Sequence, residues 1–223
     1  MRSSPAATGS GADRVRGDQT RELLLTAAVT AFALEAPAAV STRRIAQQAG
    51  VNQALIGYHF GGKEGLYRAV LEHTATRIGA IVTPLLDTIE DALAATSDTE
   101  VLAAVHSFTD GMLAALLEEE SSEFMQLVLR EQQDPTASFP VLLDSFMTRT
   151  GMLLTCVAGR LQPHDDAQTH GLTAISLMGQ LVVFRTAHAV ALHQLDWDGI
   201  DGERLTVVQH HVRRNVTAIL EGR

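Results

Sequence analysis

The stretch from Ser41 to Tyr67 offers the clearest chemistry in this sequence, because it places polar side chains on the outside of short helices. A helix from about Gln53 to His59 turns Leu55 and Ile56 inward and leaves a polar edge facing out. An exposed helix of this kind can enter the major groove of DNA. Any tight corner between two helices shows a similar pattern, so this feature alone is a weak indication.

Two further helices are needed to position that element. Ser41 and Thr42 give an N-cap signal, apolar residues follow at helical spacing, and Gly50 ends the helix. Upstream, a helix from Asp18 or Thr20 to Glu35 repeats apolar residues at three- and four-residue steps and supplies the surface on which both short helices pack. The pattern predicts a helix-turn-helix.

The residues that follow strengthen this prediction. They read Tyr58-His59-Phe60, then Gly61-Gly62, then Lys63-Glu64-Gly65-Leu66-Tyr67. This run resembles the end of the DNA-binding domain of TetR-family transcriptional regulators, where Tyr-His-Phe, a short turn and Lys-x-x-Leu are the hallmark. The resemblance extends back to Thr20 and covers roughly the first third of the chain.

The resemblance implies which residues contact DNA. Thr42 and Arg43 match positions that contact a phosphate or a base edge, and Arg43 can pair in bidentate fashion with either. Arg44 is either another phosphate contact or a solvated cation. Asn52 and Gln53 lie where the family reads bases, and the Gln53 amide can pair with adenine.

Gly57 also lies on the base-reading face, but it departs from the family pattern. An aromatic residue is frequent there, so specificity here rests on fewer groups, on flanking arms or on DNA shape. Tyr58, His59 and Lys63 resemble residues that bind phosphates, and the alternative for His59 is a packed, hydrogen-bonded histidine. Arg14 and Arg16 either enter a minor groove or belong to a solvated tail.

Composition and charge fit a helical protein with one basic region. Apolar residues make up 46% of the 223 residues and aromatic residues 4%, and no alternating pattern predicts a strand, so the expected fold class is all-α. The net charge is −9, yet residues 1–70 carry +3 and the remainder −12. A basic region on an acidic body can orient the molecule on a polyanion. Ordinary variation of surface charge is the alternative.

We expect a disordered tail over residues 1–18, a helix-turn-helix domain over 19–65, and a helical effector-binding and dimerisation domain over 66–223. A helix from Lys63 to Leu93 would join the last two, with Pro84 expected to kink or divide it. The N-terminus lacks the apolar core of a signal peptide, and the apolar run from Gly171 to Phe184 is too short to cross a bilayer. We therefore expect a cytoplasmic protein without a membrane partner.

The second domain should contain five more helices. They are predicted at Asp98–Glu119, Glu123–Gln133, Pro135–Arg160, Ala167–Leu195 and Gly202–Glu221. The helix from Ala167 is apolar nearly all round, which a surface helix of a monomer does not tolerate. With the last helix it would form half of a four-helix homodimer interface, as the resemblance also implies. The alternative is that both helices complete the core of a monomer.

Residues inside the apolar helices of the second domain are candidates for binding a small organic effector. The polar candidates are His106, Arg130, Gln180, Arg185 and His188, and the apolar candidates are Phe124 and Phe184. For each polar candidate, a structural role is as well supported as ligand contact: Arg185 can pair with Glu131, and His188 can be a core histidine. The segments 124–131, 134–135 and 179–185 are similar to the C-terminal domain of the CerR/CecR (YbiH-like) branch of the family. That similarity implies a repressor tied to drug sensitivity or export.

The sequence gives little support for metal binding, redox chemistry or catalysis. No Cys/His cluster has the spacing of a metal site, and Cys156, which lacks an internal disulfide partner, has apolar neighbours typical of an inert buried thiol. We expect no cofactor, no metal and no catalytic residues. The leading hypothesis is a homodimeric repressor that a small-molecule ligand releases from a palindromic operator in double-stranded DNA. An all-α enzyme and a helix-turn-helix interaction adaptor are the alternatives.

Overall fold

The computed structural model describes residues 9–95, 97–118 and 122–222, with side chains from residue 15 onward. Every regular element in these residues is helical. The predicted all-α fold class is confirmed.

Three helices form the N-terminal unit: α1 (Gly9–Leu34), α2 (Thr42–Gln48) and α3 (Ala54–Phe60). Leu24, Ala28 and Phe32 of α1 are fully buried, and they form the surface against which α2 packs. Helix α1 begins inside the predicted tail, because no proline interrupts the chain after Gly9 and helical hydrogen bonding simply continues. Residues 1–8 lie outside the described part of the chain.

Helix α4 (Lys63–Ala94) joins the N-terminal unit to the rest of the protein. Its 32 residues span about 48 Å at the usual rise per residue. Pro84 lies inside the helix without dividing it. The carbonyl of Ala80 loses its intrahelical donor there, but both residues are exposed, so water can supply the missing hydrogen bond.

The remaining helices form the body of the molecule. They are α5 (Asp98–Leu117), α6 (Ser122–Gln133), α7 (Pro140–Leu142), a π-helical turn (Leu143–Met147), α8 (Thr148–Leu161), α9 (Ala167–Thr186), α10 (His188–Leu195) and α11 (Gly202–Leu220). Helix α5 packs on α4 and α11, and α8 packs on α9. Ser97 caps α5, since its hydroxyl accepts a hydrogen bond from the Glu100 amide at 3.4 Å. The expected end of α5 at Glu119 lies outside the described residues.

Two predicted helices differ from the structure. The one expected from Pro135 starts only at Pro140, which occupies the first helical turn, where a missing amide hydrogen costs nothing. The one expected from Ala167 to Leu195 breaks at Ala187, and α9 and α10 meet there at an angle of 76°. At the break, His188 Nδ1 lies 3.3 Å from the carbonyl of Phe184 and takes the place of the lost backbone donor.

Two helical segments are long and apolar enough to cross a membrane by length and composition alone: Asp98–Leu117 and Pro140–Leu161. Helices α9 and α10 pass the same test together as a bent pair. In this fold, Val101, Val105 and Phe108 of α5 lie in the common hydrophobic core. The absence of a membrane partner stays a prediction.

Candidate nucleic-acid interface and effector cavity

The turn between α2 and α3 fixes the direction of the predicted recognition helix. Gly50 has φ of +68°, a conformation that favours glycine, and the amide of Val51 donates to the carbonyl of Ala46 at 3.0 Å. Ile45 and Ile56 are buried on either side of the turn. The two short helices are therefore anchored from within and leave their outer faces free.

Gln53 stands on the outer face and is exposed, as the sequence predicts. Its Nε2 donates to the hydroxyl of Thr42 at 3.0 Å, which leaves the amide oxygen and one N–H available. The carboxamide oxygen of Asn52 accepts a hydrogen bond from the Ala54 amide at 2.8 Å. Asn52 thus positions the start of α3, while Gln53 presents the free hydrogen-bonding groups.

Gly57 follows one helical turn after Gln53 and is also exposed. A Cβ atom built at Gly57 would meet nothing within 4 Å. With Thr42, Asn52 and Gln53 it lines an open depression of about 580 Å³. This face can approach a DNA groove closely, because no side chain projects from its centre.

The aromatic run after Gly57 has one solvent-facing member. Tyr58 is 81% exposed, whereas His59 is partly buried between the edges of Tyr58 and Phe60, with ring centroids 4.9 and 6.2 Å away. Phe60 packs against the core, and the guanidinium of Arg21 lies 5.2 Å from its centroid. The Tyr58 hydroxyl is therefore free to reach a phosphate, and both interpretations of His59 remain compatible with its position.

The predicted phosphate-binding cations differ in their surroundings. Arg43 is exposed on α2. Arg44 forms an ion pair with Glu35 at 2.5 Å, so DNA would have to compete for it. Lys63 donates to the carbonyl of Ala38 at 3.0 Å, which holds its ammonium beside the loop between α1 and α2.

Glycines between α3 and α4 allow a sharp reversal of the chain. Gly61 and Gly62 have φ of +73° and +121°, which only glycine adopts readily. A Cβ at Gly65 would lie 1.8 Å from the carbonyl oxygen of Phe60. Only glycine fits at position 65, because any larger residue would clash with this carbonyl oxygen. The motif Lys63-Glu64-Gly65-Leu66 includes this glycine, but the sequence alone offers no reason for it.

Helix α6 is bound to the end of α1 through Arg130. Its guanidinium donates to the carbonyls of Phe32, Ala33 (2.9 Å) and Glu35 (3.0 Å). These carbonyls lie in the last turn of α1 and at the residue after it, where no later turn of the helix supplies N–H donors. A cation at this end also complements the helix dipole. Arg130, predicted to bind ligand, instead ties the body to the helix-turn-helix unit.

The neighbouring residue, Glu131, makes a second connection and is fully buried. It accepts a hydrogen bond from the hydroxyl of Tyr67 on α4 at 2.7 Å, and from the amide and hydroxyl of Thr136 at 3.1 Å each. Burial, followed by the contact with Glu131, raises the pKa of Tyr67 above its usual value. The predicted pairing of Glu131 with Arg185 is wrong, because Arg185 donates to the hydroxyl of Ser122 at 2.6 Å.

A cavity of about 760 Å³ opens between α5, the α9–α10 break and the start of α11. A narrower cavity of about 150 Å³ adjoins it between α4, α5 and α6. Ile81, Ala115 and Glu118 line both. The two cavities therefore share a wall, and the walls of the pair include α4 and α6, the helices that hold the DNA-binding unit.

Three of the predicted ligand residues line this site: Phe124, Arg185 and His188. The imidazole of His106 instead pairs with the hydroxyl of Thr217 at 2.9 Å, and Gln180 accepts a hydrogen bond from Asn215 at 3.1 Å. The two contacts join α11 to α5 and to α9. Phe184 is partly buried against the core.

Two buried or partly buried histidines have lowered pKa values. Desolvation by burial, followed by the charge of Arg213, holds the pKa of His106 below its usual value. Burial and then the charge of Arg77 do the same for His73, whose ring lies 5.7 Å from that of Phe124. At both sites the surroundings favour the neutral imidazole over the charged one.

The prediction for Cys156 needs correction, because its side chain is exposed on α8 rather than buried. The apolar neighbours in sequence lie on the opposite, inward face of that helix, as Leu153, Leu154 and Val157 show. Within the described ranges, no group of three or more His, Cys, Asp or Glu side chains is arranged to hold a metal ion.

Comparison with known proteins agrees with this architecture. Residues 24–70 match the family described as bacterial regulatory proteins, tetR family. Residues 102–223, more than half of the chain, match the family described as HTH-type transcriptional dual regulator CecR, C-terminal domain. The chain belongs to the TetR family of transcriptional regulators, in its CecR branch.

Relatives of this TetR-family regulator cover nearly its whole length. It is 27% identical over 213 residues to the HTH-type transcriptional dual regulator CecR of Shigella flexneri, spanning 93% of this chain and 94% of that protein. Its fold is similar to that of a TetR-like transcriptional regulator from Rhodococcus sp. RHA1, with a TM-score of 0.63, 19% identity, and coverage of 92% and 97% of the two chains.

A further solved structure has the same fold: AibR in complex with isovaleryl coenzyme A and operator DNA. The TM-score is 0.62 at 12% identity, over 90% of this chain and 97% of that one. The family consists of transcriptional regulators with DNA-binding and ligand-binding domains, not enzymes. The predicted family and the prediction of a non-enzymatic function are confirmed, and the enzyme alternative is excluded.

Proposed function

We propose that this TetR-family regulator is a homodimeric repressor that binds a palindromic operator through α3 and leaves it when a small organic effector binds. The helix-turn-helix domain would comprise residues 19–65, and the effector-binding and dimerisation domain residues 66–223. A regulator of chromosomal DNA acts in the cytoplasm. The DNA contacts would be Thr42, Arg43, Arg44, Asn52, Gln53, Gly57, Tyr58, His59 and Lys63.

The exposed position of Gln53 carries the proposal. A polar amide that has a free acceptor and a free donor, and that the Thr42 hydroxyl holds in place, is suited to an adenine edge. Tyr58 and Arg43 flank it and are exposed, as residues that contact phosphates must be. AibR, which has this fold, was crystallised with operator DNA.

An apolar row on α9 supports dimerisation. Leu172, Ile175 and Val183 are 57%, 70% and 47% exposed and lie on one face of the helix. Gly179 lies between them, and nothing occupies the space around it within 4 Å, so a second helix can approach closely. A monomer core does not explain this row. Two copies paired through α9 and α11 would place their recognition helices about 34 Å apart for successive major grooves.

The effector would act through the helices that the cavity shares with the DNA-binding unit. Ile78 and Ile81 bring α4 to the cavity wall, and Phe124 brings α6. The far end of α6 carries Arg130, which holds the end of α1. A coupling of about 1–3 kcal/mol between the two sites would lower operator affinity roughly 5- to 150-fold.

DNA binding can be tested with the DNA that flanks the gene of this protein. We expect a gel shift that survives competition by unrelated DNA, and a loss of sequence preference in Gln53→Ala. Tyr58→Ala and Lys63→Ala should weaken binding to all sequences and reduce its salt dependence, whereas Arg149→Gln on α8 serves as the control. Equal binding to all DNA would refute the operator.

The adaptor alternative makes a different prediction for the same variants. A helix-turn-helix that binds only protein would show no salt-dependent affinity for duplex DNA. Light scattering of the free protein separately tests the homodimer, since a particle with the mass of one chain would contradict it.

A further inference from the structure

We propose that the effector is an amphiphilic organic anion, whose acidic group is bound by Arg185 and whose apolar body extends past Ile81 and Ala115 toward Phe124. This inference rests on the proposed function only in taking the cavity as the effector site. It names the chemical class of the ligand from the charges and surfaces that line the cavity.

Arg185 is the partly buried cation of the larger cavity. Its guanidinium donates one hydrogen bond, at 2.6 Å, to the hydroxyl of Ser122. Among the described residues, no carboxylate lies within 4.0 Å of it. A guanidinium carries five N–H donors in one plane, so donors remain available for the bidentate pairing that carboxylates accept. A partly buried cation that has no carboxylate beside it among the described residues is stabilised by an anion that enters its cavity.

The carboxylates that line the cavity do not offset this preference. Asp198 is paired with Arg204, and its carboxylate is 90% exposed. Asp201 and Glu118 are exposed as well. Charges in water are screened by its high dielectric constant and by salt, whereas the more deeply placed Arg185 interacts through a medium of lower dielectric constant. The cation therefore dominates recognition inside, and the acidic groups lie at the mouth.

His188 is placed to assist Arg185. It lines the same cavity three residues later, beyond the break between α9 and α10. Its Nδ1 donates to the carbonyl of Phe184 at 3.3 Å, which leaves Nε2 as the ring atom without an assigned partner. Nε2 is then available to hydrogen-bond with the polar end of a bound ligand.

The apolar part of the ligand has a defined path. Ile81 and Ala115 line both cavities, so a chain bound at Arg185 can pass over them into the narrower space. That space is lined mainly by apolar side chains: Ile78, Val82, Met112, Leu116, Phe124 and Met125. Arg77 and Glu118, both exposed, are its charged members, and its volume of about 150 Å³ between mainly apolar walls suits a flexible aliphatic chain.

Three ligands of equal chain length test the proposal: octanoate, octanol and octylammonium. Calorimetric titration of the full-length protein, without DNA, gives the dissociation constants. The fluorescence of Trp197, the single tryptophan, provides a second signal because Asp198 and Gly199 next to it line the cavity. We expect octanoate to bind most tightly, octanol more weakly and octylammonium weakest.

Substitution of Arg185 locates the acidic group. Arg185→Gln should weaken octanoate binding roughly 10- to 100-fold, to the level of octanol, and leave octanol unchanged. Arg185→Lys should recover part of the loss, and Arg149→Gln, which removes a cation elsewhere, should behave as the unsubstituted protein. If Arg185→Gln fails to fold, Ser122→Ala provides the second test, since it frees the guanidinium and should leave octanoate binding intact or tighter.

Tighter binding of octylammonium or octanol than of octanoate overturns the proposal, as does the absence of binding by all three. Equal affinity of octanoate for Arg185→Gln and the unsubstituted protein does so too. These titrations contain no DNA, so failure of the repressor function leaves their outcome unaffected. Conversely, an operator complex that ignores octanoate would contradict the proposed effector response while the ligand class stands.

Discussion

The most informative perturbation removes the donors of Arg130 while retaining its aliphatic stem. In Arg130→Met, the carbonyls of Phe32, Ala33 and Glu35 lose the donors that now satisfy them. A hydrogen bond from a charged group contributes about 1.5–3 kcal/mol, and bonds that share one cation are not additive. Water replaces part of the loss, so we expect the free energy of unfolding to fall by about 3 kcal/mol. For a chain of this size, that corresponds to a melting temperature lower by about 6–12 °C.

Urea denaturation at one fixed protein concentration measures the effect, because the proposed dimerisation would make stability concentration-dependent. Arg68→Met is the control: it removes an exposed i,i+4 ion pair with Glu72, which contributes only about 0.3–0.5 kcal/mol. Hydrogen exchange should locate the weakening in the last turns of α1. A loss in Arg130→Met no larger than that in Arg68→Met, or exchange unchanged in α1, would refute the reasoning that α6 holds the DNA-binding unit.

Three further outcomes are expected. Gly65→Ala should lower the stability of the N-terminal unit by about 2 kcal/mol or more, because the new Cβ would lie 1.8 Å from the Phe60 carbonyl; thermal melting decides, and an unchanged melting temperature contradicts the close contact. Folding lowers the pKa of His106 below 6.5. The stability that the neutral imidazole contributes is therefore present above about pH 6.5 and is lost as the pH falls through the folded-state pKa. The free energy of unfolding, measured from pH 7.5 to 5, should decline less steeply in His106→Gln than in the unsubstituted protein. Ile175→Glu should give a folded monomer by light scattering, since the side chain is 70% exposed in the single chain; a persisting dimer would assign the interface elsewhere.

The helix-turn-helix was predictable because local signals determine it. Gly50 and Gly61 have the positive φ values that end the short helices, and the observed α3 differs from the predicted one by a single residue at each end. Gln53 is exposed at the N-cap of α3, as predicted, while Ile56 inside the helix is buried. In this region, each side chain is placed by residues close to it in sequence.

The body was less predictable because its contacts are long-range. Glu131 is paired with Tyr67, 64 residues away, and periodicity alone gives no reason to prefer Tyr67 over Arg185. The break at Ala187 has neither proline nor glycine to signal it. The start of α1 was missed for the opposite reason, since a polar sequence typical of disorder is also able to extend a helix that is already formed.

Because Gly57 has no side chain, the exposed face of α3 has room for a new one at this position. Glycine inside a helix costs about 0.5–1 kcal/mol relative to alanine, and here open solvent surrounds the missing side chain. A substitution at this one residue would strengthen α3 and at the same time project a new group from its proposed base-reading face. Under the proposed mode of DNA binding, selection or design at this position would redirect the protein to a different promoter without disturbing its folding.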